Sequence, residues 1–198
     1  MNDDGVIKFH CRWTEAPHGL EVPEALMHWR DQMHALGLIG VYESDGIGYG
    51  NISQKVPEGM LISGTQTGHL SQLNTDQYSL VTDYDIAANS LHCRGLVKAS
   101  AESLTHLAFY EADPNITGVI HIHSLEMWER LMNQVPTSSK AVPYGTPGMA
   151  AEIKRLFKES TLPEVKLMVM GGHKEGLIAF GRDLEEAATI ITAVLPKD

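Results

Sequence analysis

His121 and His123, in the run GVIHIH (118–123), are the residues of this chain best suited to hold a metal ion. On a strand, residues two apart project from one face, so both imidazoles can meet one cation. Neutral imidazole suits zinc and several of its first-row neighbours. Glu102 and His106 stand i and i+4 in ASAESLTHLAFYEA (99–112) and share a helix face. Read alone, they are a dipole-favoured acid and an ordinary helix histidine. Beside a metal, Glu102 is a ligand or a general base. His173 lies in MGGHKEG (170–176), between two apolar runs. The glycines there let the backbone turn and hold an imidazole inward. Glu175, in the same loop, competes with it as the third ligand.

Two further segments suit an anion. GNIS (50–53) and SGTQTG (63–68) carry glycines and hydroxyl side chains after apolar residues. Such loops can present N–H and O–H groups to a phosphate or carboxylate. Neither has the GKS/T or GxGxxG pattern of nucleotide-binding turns, and a glycine-rich loop is usually only a turn.

These residues need elements to position them. Apolar spacing predicts a helix over 23–36, with Pro23 at its first position and Gly37 as its stop. A second helix is expected over 99–112, with Ser100 as N-cap and Glu102 in the first turn. Others are expected over 149–159, opened by Thr146-Pro147-Gly148, and over 183–194. Strands are expected at 60–63, 79–85, 90–94, 118–123, 165–170 and 177–180. Residues 39–43 read as a short strand or a helix tail. Residues 46–53, with three glycines in the first five, read as a tight functional loop. Helices and strands alternate in blocks. That predicts an α/β fold, a three-layer α/β/α or α+β sheet domain with much antiparallel pairing.

The bulk numbers agree with one domain spanning 1–198. A formal charge of −10 excludes a nucleic-acid footprint. No apolar stretch is long enough to span a bilayer, so no membrane is expected. The start MNDDG is not a secretory signal. Cys11 and Cys93 form no C-x-x-C pair and read as reduced thiols in a cytoplasmic protein. Trp13, Trp29 and Trp128 are expected in packing. His69 and His92 are candidates for a pocket wall that the sequence does not place.

In this order, GNIS, MLISGTQTG, SAESLTH, HIHS, PYGTPG and GGHKEGLIAFGRDLEEA, the chain resembles the class II aldolase/adducin family from about Met27 to Val194. No single piece is specific; their order and spacing together are. The family includes fuculose-phosphate and rhamnulose-phosphate aldolases, ribulose-phosphate 4-epimerase and methylthioribulose-phosphate dehydratase. The resemblance implies an α/β/α fold with a central, mainly antiparallel sheet. It implies a divalent metal, usually Zn2+, with Mn2+, Co2+ and Fe2+ as alternatives, held by His121, His123 and His173. Glu102 falls where the family has its acid/base. Gly50, Asn51, Ser63, Gly64, Thr65 (or Thr67) and Ser100 fall at the substrate and phosphate positions. The implied reaction is that of a lyase or isomerase on a small hydroxy-carbonyl substrate, a sugar phosphate foremost, through a metal-stabilised enediolate. The implied assembly is a homotetramer with interface active sites. An adducin-like interaction domain, which keeps the fold and loses the ligands, is the non-catalytic alternative.

The chain departs from the family in three places. Ser100-Ala101 replaces two adjacent serines and removes one hydroxyl donor. Lys174 and Glu175 intervene between the third histidine and its glycine. Aligning on GLIAFG without a gap puts Glu175 in the ligand position; a two-residue bulge keeps His173 there. Residues 124–142 and the C-terminal tail contain no tyrosine to act as the aldolase acid, and Tyr144 is expected to pack or shape the pocket.

Overall fold

A computed structural model describes residues 5–196. The signal-free reading of Met1–Asp4 and the tyrosine-free end at Lys197–Asp198 lie outside the described residues. The chain runs β1 (His10–Glu15), α1 (Glu24–Ala35), β2 (Gly40–Val41), β3 (Gly48–Tyr49), β4 (Asn51–Val56), β5 (Gly59–Ser63), β6 (Tyr78–Asp85) and β7 (Ser90–Gly95). It continues α2 (Ser103–Ala112), β8 (Gly118–His123), α3 (Leu125–Leu131), α4 (Pro147–Glu159), α5 (Leu162–Val165), β9 (Leu167–Val169), β10 (Gly176–Gly181) and α6 (Leu184–Ala193). Eight strands form one sheet in the order β1-β7-β6-β5-β4-β8-β10-β9, and β2 pairs with β3 in a separate ribbon. Only β1–β7 is parallel in the large sheet. The sheet is thus mainly antiparallel, as expected.

Helices cover both faces. Leu104 and Phe109 of α2 and Ile153 of α4 pack with Val119, Ile178 and Phe180 on one side. Leu26 and Met33 of α1 and Ile191 of α6 pack with Ile120, Ile122 and Leu177 on the other. All six residues of β8 are buried, as are those of β10. The strand pleat sends alternate residues to opposite layers. Val119 joins the α2 side and Ile120 and Ile122 the α1 side, so His121 and His123 face α2. No helix among the described residues is long and apolar enough to cross a membrane.

Several local expectations are corrected. α2 starts at Ser103, with Glu102 in the N-cap position (φ −94°, ψ 6°). Ser100 is not the cap. Its carbonyl accepts the Ser103 N–H and hydroxyl, and its Oγ accepts the Glu102 N–H. These local bonds offer the backbone a turn in place of helix. The strand expected over 165–170 is shorter. Pro163 supports the helical turn α5, Lys166 is left-handed, and only 167–169 pair with β10. The glycine-rich 46–53 is mostly strand, in β3 and the start of β4. Residues 39–43 contain β2. α3 follows β8 without a breaker, capped by Ser124, whose Oγ accepts the Met127 N–H. The indole N–H groups of Trp13 and Trp128 donate to the carbonyls of Gly95 and Met170, and Trp29 packs against the α1-side core. Cys11 and Cys93 are free thiols with Sγ atoms 3.6 Å apart.

Candidate metal centre

β8 lies between β4 and β10, in register Asn51–His121–Ile178, with Gly176 opposite His123. The turn 170–176 carries His173 back over the same face. It is closed by the His173 N–H to the Met170 carbonyl and the Gly176 N–H to the His173 carbonyl. One ring nitrogen from each of His121, His123 and His173 lies within 4.8 Å of the others, and all three residues are buried. A Cβ on Gly176 would stand 2.7 Å from His173 Cδ2 and 3.1 Å from His121 Cε1. Glycine there leaves room for the imidazoles.

Hydrogen-bond direction fixes which nitrogens carry protons. His121 Nδ1 lies 3.0 Å from the Leu177 carbonyl, which can only accept, so Nδ1 carries the hydrogen. The Tyr42 hydroxyl donates to Glu175 Oε2 at 2.9 Å and therefore accepts from His123 Nδ1 at 2.8 Å. In the neutral rings, both Nε2 atoms are then bare lone pairs, yet they face each other at 3.1 Å. His173 Nε2 approaches His123 Nε2 at 2.8 Å. Acceptors opposed in this way want a cation between them. Nitrogens sharing one ion at ~2.0–2.1 Å would stand roughly 3.3 Å apart, so the spacing fits a divalent transition metal.

Charge state agrees. Burial pushes His121 down to about 4, against the opposing hydrogen bond to Leu177. Burial, with the neighbouring histidines, also holds His123 and His173 well below the usual imidazole range. All three are neutral at pH 7, the form that ligates. Glu102 is buried, with Oε1 3.6 Å from His121 Nε2 and 3.7 Å from His173 Nδ1.

A small cleft opens against this cluster. Glu102, the three histidines, Gly50, Asn51, Gly64, Thr65 and Ser100 all line it. Gly50 holds φ +72°, and a Cβ there would meet Ile39 Cγ1 at 2.8 Å and the Leu38 carbonyl oxygen at 3.0 Å. That conformation and close approach bring Asn51 in beside His121. The Asn51 Oδ1 is buried without a hydrogen-bond partner, which suits a ligand group. Ser63 is a correction. It does not line the cavity, and its Oγ accepts the Ile52 N–H at 3.2 Å. Strand alternation puts it with Leu61 and Ile52 on the α1 side. Thr67 lines the cavity but donates its hydroxyl to the Gly64 carbonyl, holding the loop closed.

Of the remaining candidates, His69 and His92 do not line the cavity. The His69 side chain lies near the Gln66 carbonyl, and that of His92 lies between Thr14 and Thr82. The Tyr144 ring stands edge-on to His173 at 4.6 Å. Sequence reasoning missed Tyr42, which bonds His123, and Tyr49, which stacks on it at 5.4 Å and lines the cavity. No spacing rule marks either. The one available signal is that Tyr49 lies within the glycine-rich run 46–53 and Tyr42 shortly before it.

Residues 33–194 match the family model described as Class II Aldolase and Adducin N-terminal domain. Over 76 residues the chain is 36% identical to a methylthioribulose-1-phosphate dehydratase of Gluconacetobacter diazotrophicus. That match covers 38% of this chain and spans about a third (35%) of the curated relative's length. The L-fuculose-1-phosphate aldolase of Thermus thermophilus superposes with a TM-score of 0.61 at 18% identity, covering 86% of this chain and 87% of that one. The sugar-phosphate aldolase of Thermotoga maritima gives 0.64 at 17% identity, with coverages of 86% and 90%. At these identities the structural likeness is one of fold.

Proposed function

The chain belongs to the class II aldolase and adducin N-terminal domain family, and from that premise we propose that it is a metal-dependent lyase or isomerase acting on a small hydroxy-carbonyl compound, a sugar phosphate foremost. The observation that carries this reading is the pair of bare Nε2 atoms of His121 and His123, 3.1 Å apart and joined by His173 at 2.8 Å. An adducin-like interaction domain has no use for such a cluster, buried at a cavity wall.

In this reading His121, His123 and His173 hold the ion, Zn2+ or alternatively Mn2+, Co2+ or Fe2+. When bound, the metal supplies Lewis acidity to substrate carbonyl and hydroxyl oxygens. Glu102 takes the proton from the carbon next to the carbonyl and holds it on a carboxylate oxygen. Burial keeps bulk water from competing for that proton. Asn51, with the backbone and hydroxyl groups of Gly50, Gly64, Thr65 and Ser100, receives the substrate's polar or phosphate end. Ser63 acts only by tying β4 to β5. The protein works as a single-domain cytoplasmic homotetramer with its active sites at subunit interfaces.

Among family reactions, dehydration has the most support. The curated relative is named as a dehydratase. Residues 124–142, where family aldolases carry an acid tyrosine, contain none. In dehydration, Glu102 takes the proton from the carbon next to the carbonyl and returns it to the hydroxyl leaving the neighbouring carbon, so that a C=C bond forms between the two carbons and one water departs. No carbon–carbon bond breaks.

Elemental analysis of the wild type beside His121→Ala/His123→Ala tests the centre. About one equivalent of transition metal per chain is expected in the wild type and none in the variant. Absence from both, after reloading with zinc or manganese, overturns the enzyme reading. Phosphorylated ketoses incubated with the loaded enzyme should lose one water by mass. Recovery of two shorter fragments would identify an aldolase instead.

A further inference from the structure

Glu175 sits in the two-residue excursion Lys174-Glu175 that follows His173, and its backbone is left-handed (φ 71°). A side chain with a Cβ is strained in that conformation. The excursion is anchored nonetheless, because the Glu175 carbonyl accepts the N–H of Ser124, the residue that follows His123 and caps α3. Its carboxylate is thereby brought to the outer side of His123, where the Tyr42 hydroxyl bridges the two at 2.9 and 2.8 Å.

Resting on the metal reading above, we propose that Tyr42 and Glu175 are positioning residues of the centre: a carboxylate–phenol–imidazole arm that locks His123 with its Nε2 lone pair toward the ion. The phenol has a single hydrogen and spends it on Glu175. It can then only accept from His123, which forces the proton onto Nδ1. His121 reaches the same tautomer by a different route, through the backbone carbonyl of Leu177 at 3.0 Å. One ligand is oriented by a neutral carbonyl, the other by a carboxylate acting through a phenol. Tyr49 steadies the arm, stacking on His123 and packing against Tyr42 at 4.6 Å. Outer partners of this kind fix ring orientation and raise ligand basicity. Glu175 therefore acts behind His123 and is not the third ligand.

The test uses Co2+ as the probe on tag-free protein, with affinity read by chelator competition and geometry by the visible bands. Tyr42→Phe and Glu175→Ala should each weaken Co2+ binding by about 10- to 100-fold. Their double variant should fall no further than the weaker single, because the two act in series. Glu175→Gln, which keeps an acceptor, should recover part of the loss. In the metal-free wild type, long-range 15N–1H correlations of labelled histidine should show His123 protonated on Nδ1, and Tyr42→Phe should release that tautomer. Tyr42→Phe binding Co2+ within about twofold of wild type overturns the proposal. So does loss of Co2+ in Glu175→Ala as complete as in His173→Ala, which would make Glu175 a ligand. If the wild type takes no Co2+ at all, the metal reading fails. The tautomer of metal-free His123 still decides this one, and an Nε2–H ring overturns it.

Discussion

Two groups of buried histidine lie on the α2 face of the sheet, and they are built on different logic. In one, the His106 Nδ1 meets the Ser53 hydroxyl at 2.7 Å, and Ser53 meets the Tyr110 hydroxyl at 2.7 Å. In the other, His121, His123 and His173 meet each other. Burial lowers the imidazole pKa in both. Burial and a neutral ring therefore do not distinguish a metal centre from a structural histidine. Partner chemistry does. A hydroxyl can donate or accept and so satisfies the His106 Nδ1 in either state, although the His106 Nε2 is buried without a partner, whereas the two bare Nε2 atoms of His121 and His123 face one another and neither can satisfy the other.

The comparison is broken most directly by exchanging the two groups' fates. His173→Ala should abolish metal binding with the fold retained. His106→Ala should keep about one metal per chain and lose roughly 2–4 kcal/mol of stability, from a cavity and one lost hydrogen bond to Ser53, which keeps its bond to Tyr110. Metal analysis beside urea denaturation reads both. A His106 variant that also loses its metal would erase the distinction. Next in size, Glu102→Gln should retain the metal and cut turnover by about 10²- to 10⁴-fold. Turnover within a few-fold of wild type would remove Glu102 from proton transfer. Gly176→Ala pushes a methyl between His173 and His121. It should cost about 1–3 kcal/mol and weaken metal binding in parallel, with no such coupled loss at the His106 group.

The smallest effect is on pH dependence, in the metal-free protein. Unfolded histidine titrates near about 6.5, whereas buried His121 in the folded protein waits until about 4. His106, His123 and His173 shift in the same direction. The unfolded chain thus binds protons first. The contribution is complete above the unfolded value and is lost as pH falls from there toward 4. Urea midpoints measured across that window should decline, and at least as steeply once metal is bound, because ligating rings take up no protons in the folded state. A flat profile would mean that these rings are not held neutral.

Much of this was legible in the sequence. The GVIHIH run carries both a buried-strand signal and a period-two pair, so β8 and the facing of His121 and His123 follow from local rules. The amphipathic spacing of α1, α4 and α6 was equally plain, with boundaries displaced by a few residues. β1, β4 and α3 were not legible. β4 is masked by the glycines before it, and α3 starts directly after β8 with only Ser124 to announce it. Ser63 was misjudged because the face of a strand residue depends on register with its neighbours, which one strand's pattern cannot give. Tyr42 was invisible for a related reason: its role exists only once the β2–β3 ribbon folds over His123.

The central place of β8 also governs when the centre can exist. Its neighbours β4 and β10 come from well before and well after it in the chain, and His173 arrives with the turn leading into β10. His121 and His123 share one strand, but His173 cannot be brought to them by a local hairpin. Such long-range pairings form slowly, because loop closure must precede the contacts that reward it. The three-histidine set is therefore complete only once the middle of the sheet has closed. A bound ion then reports that the chain has reached its native topology.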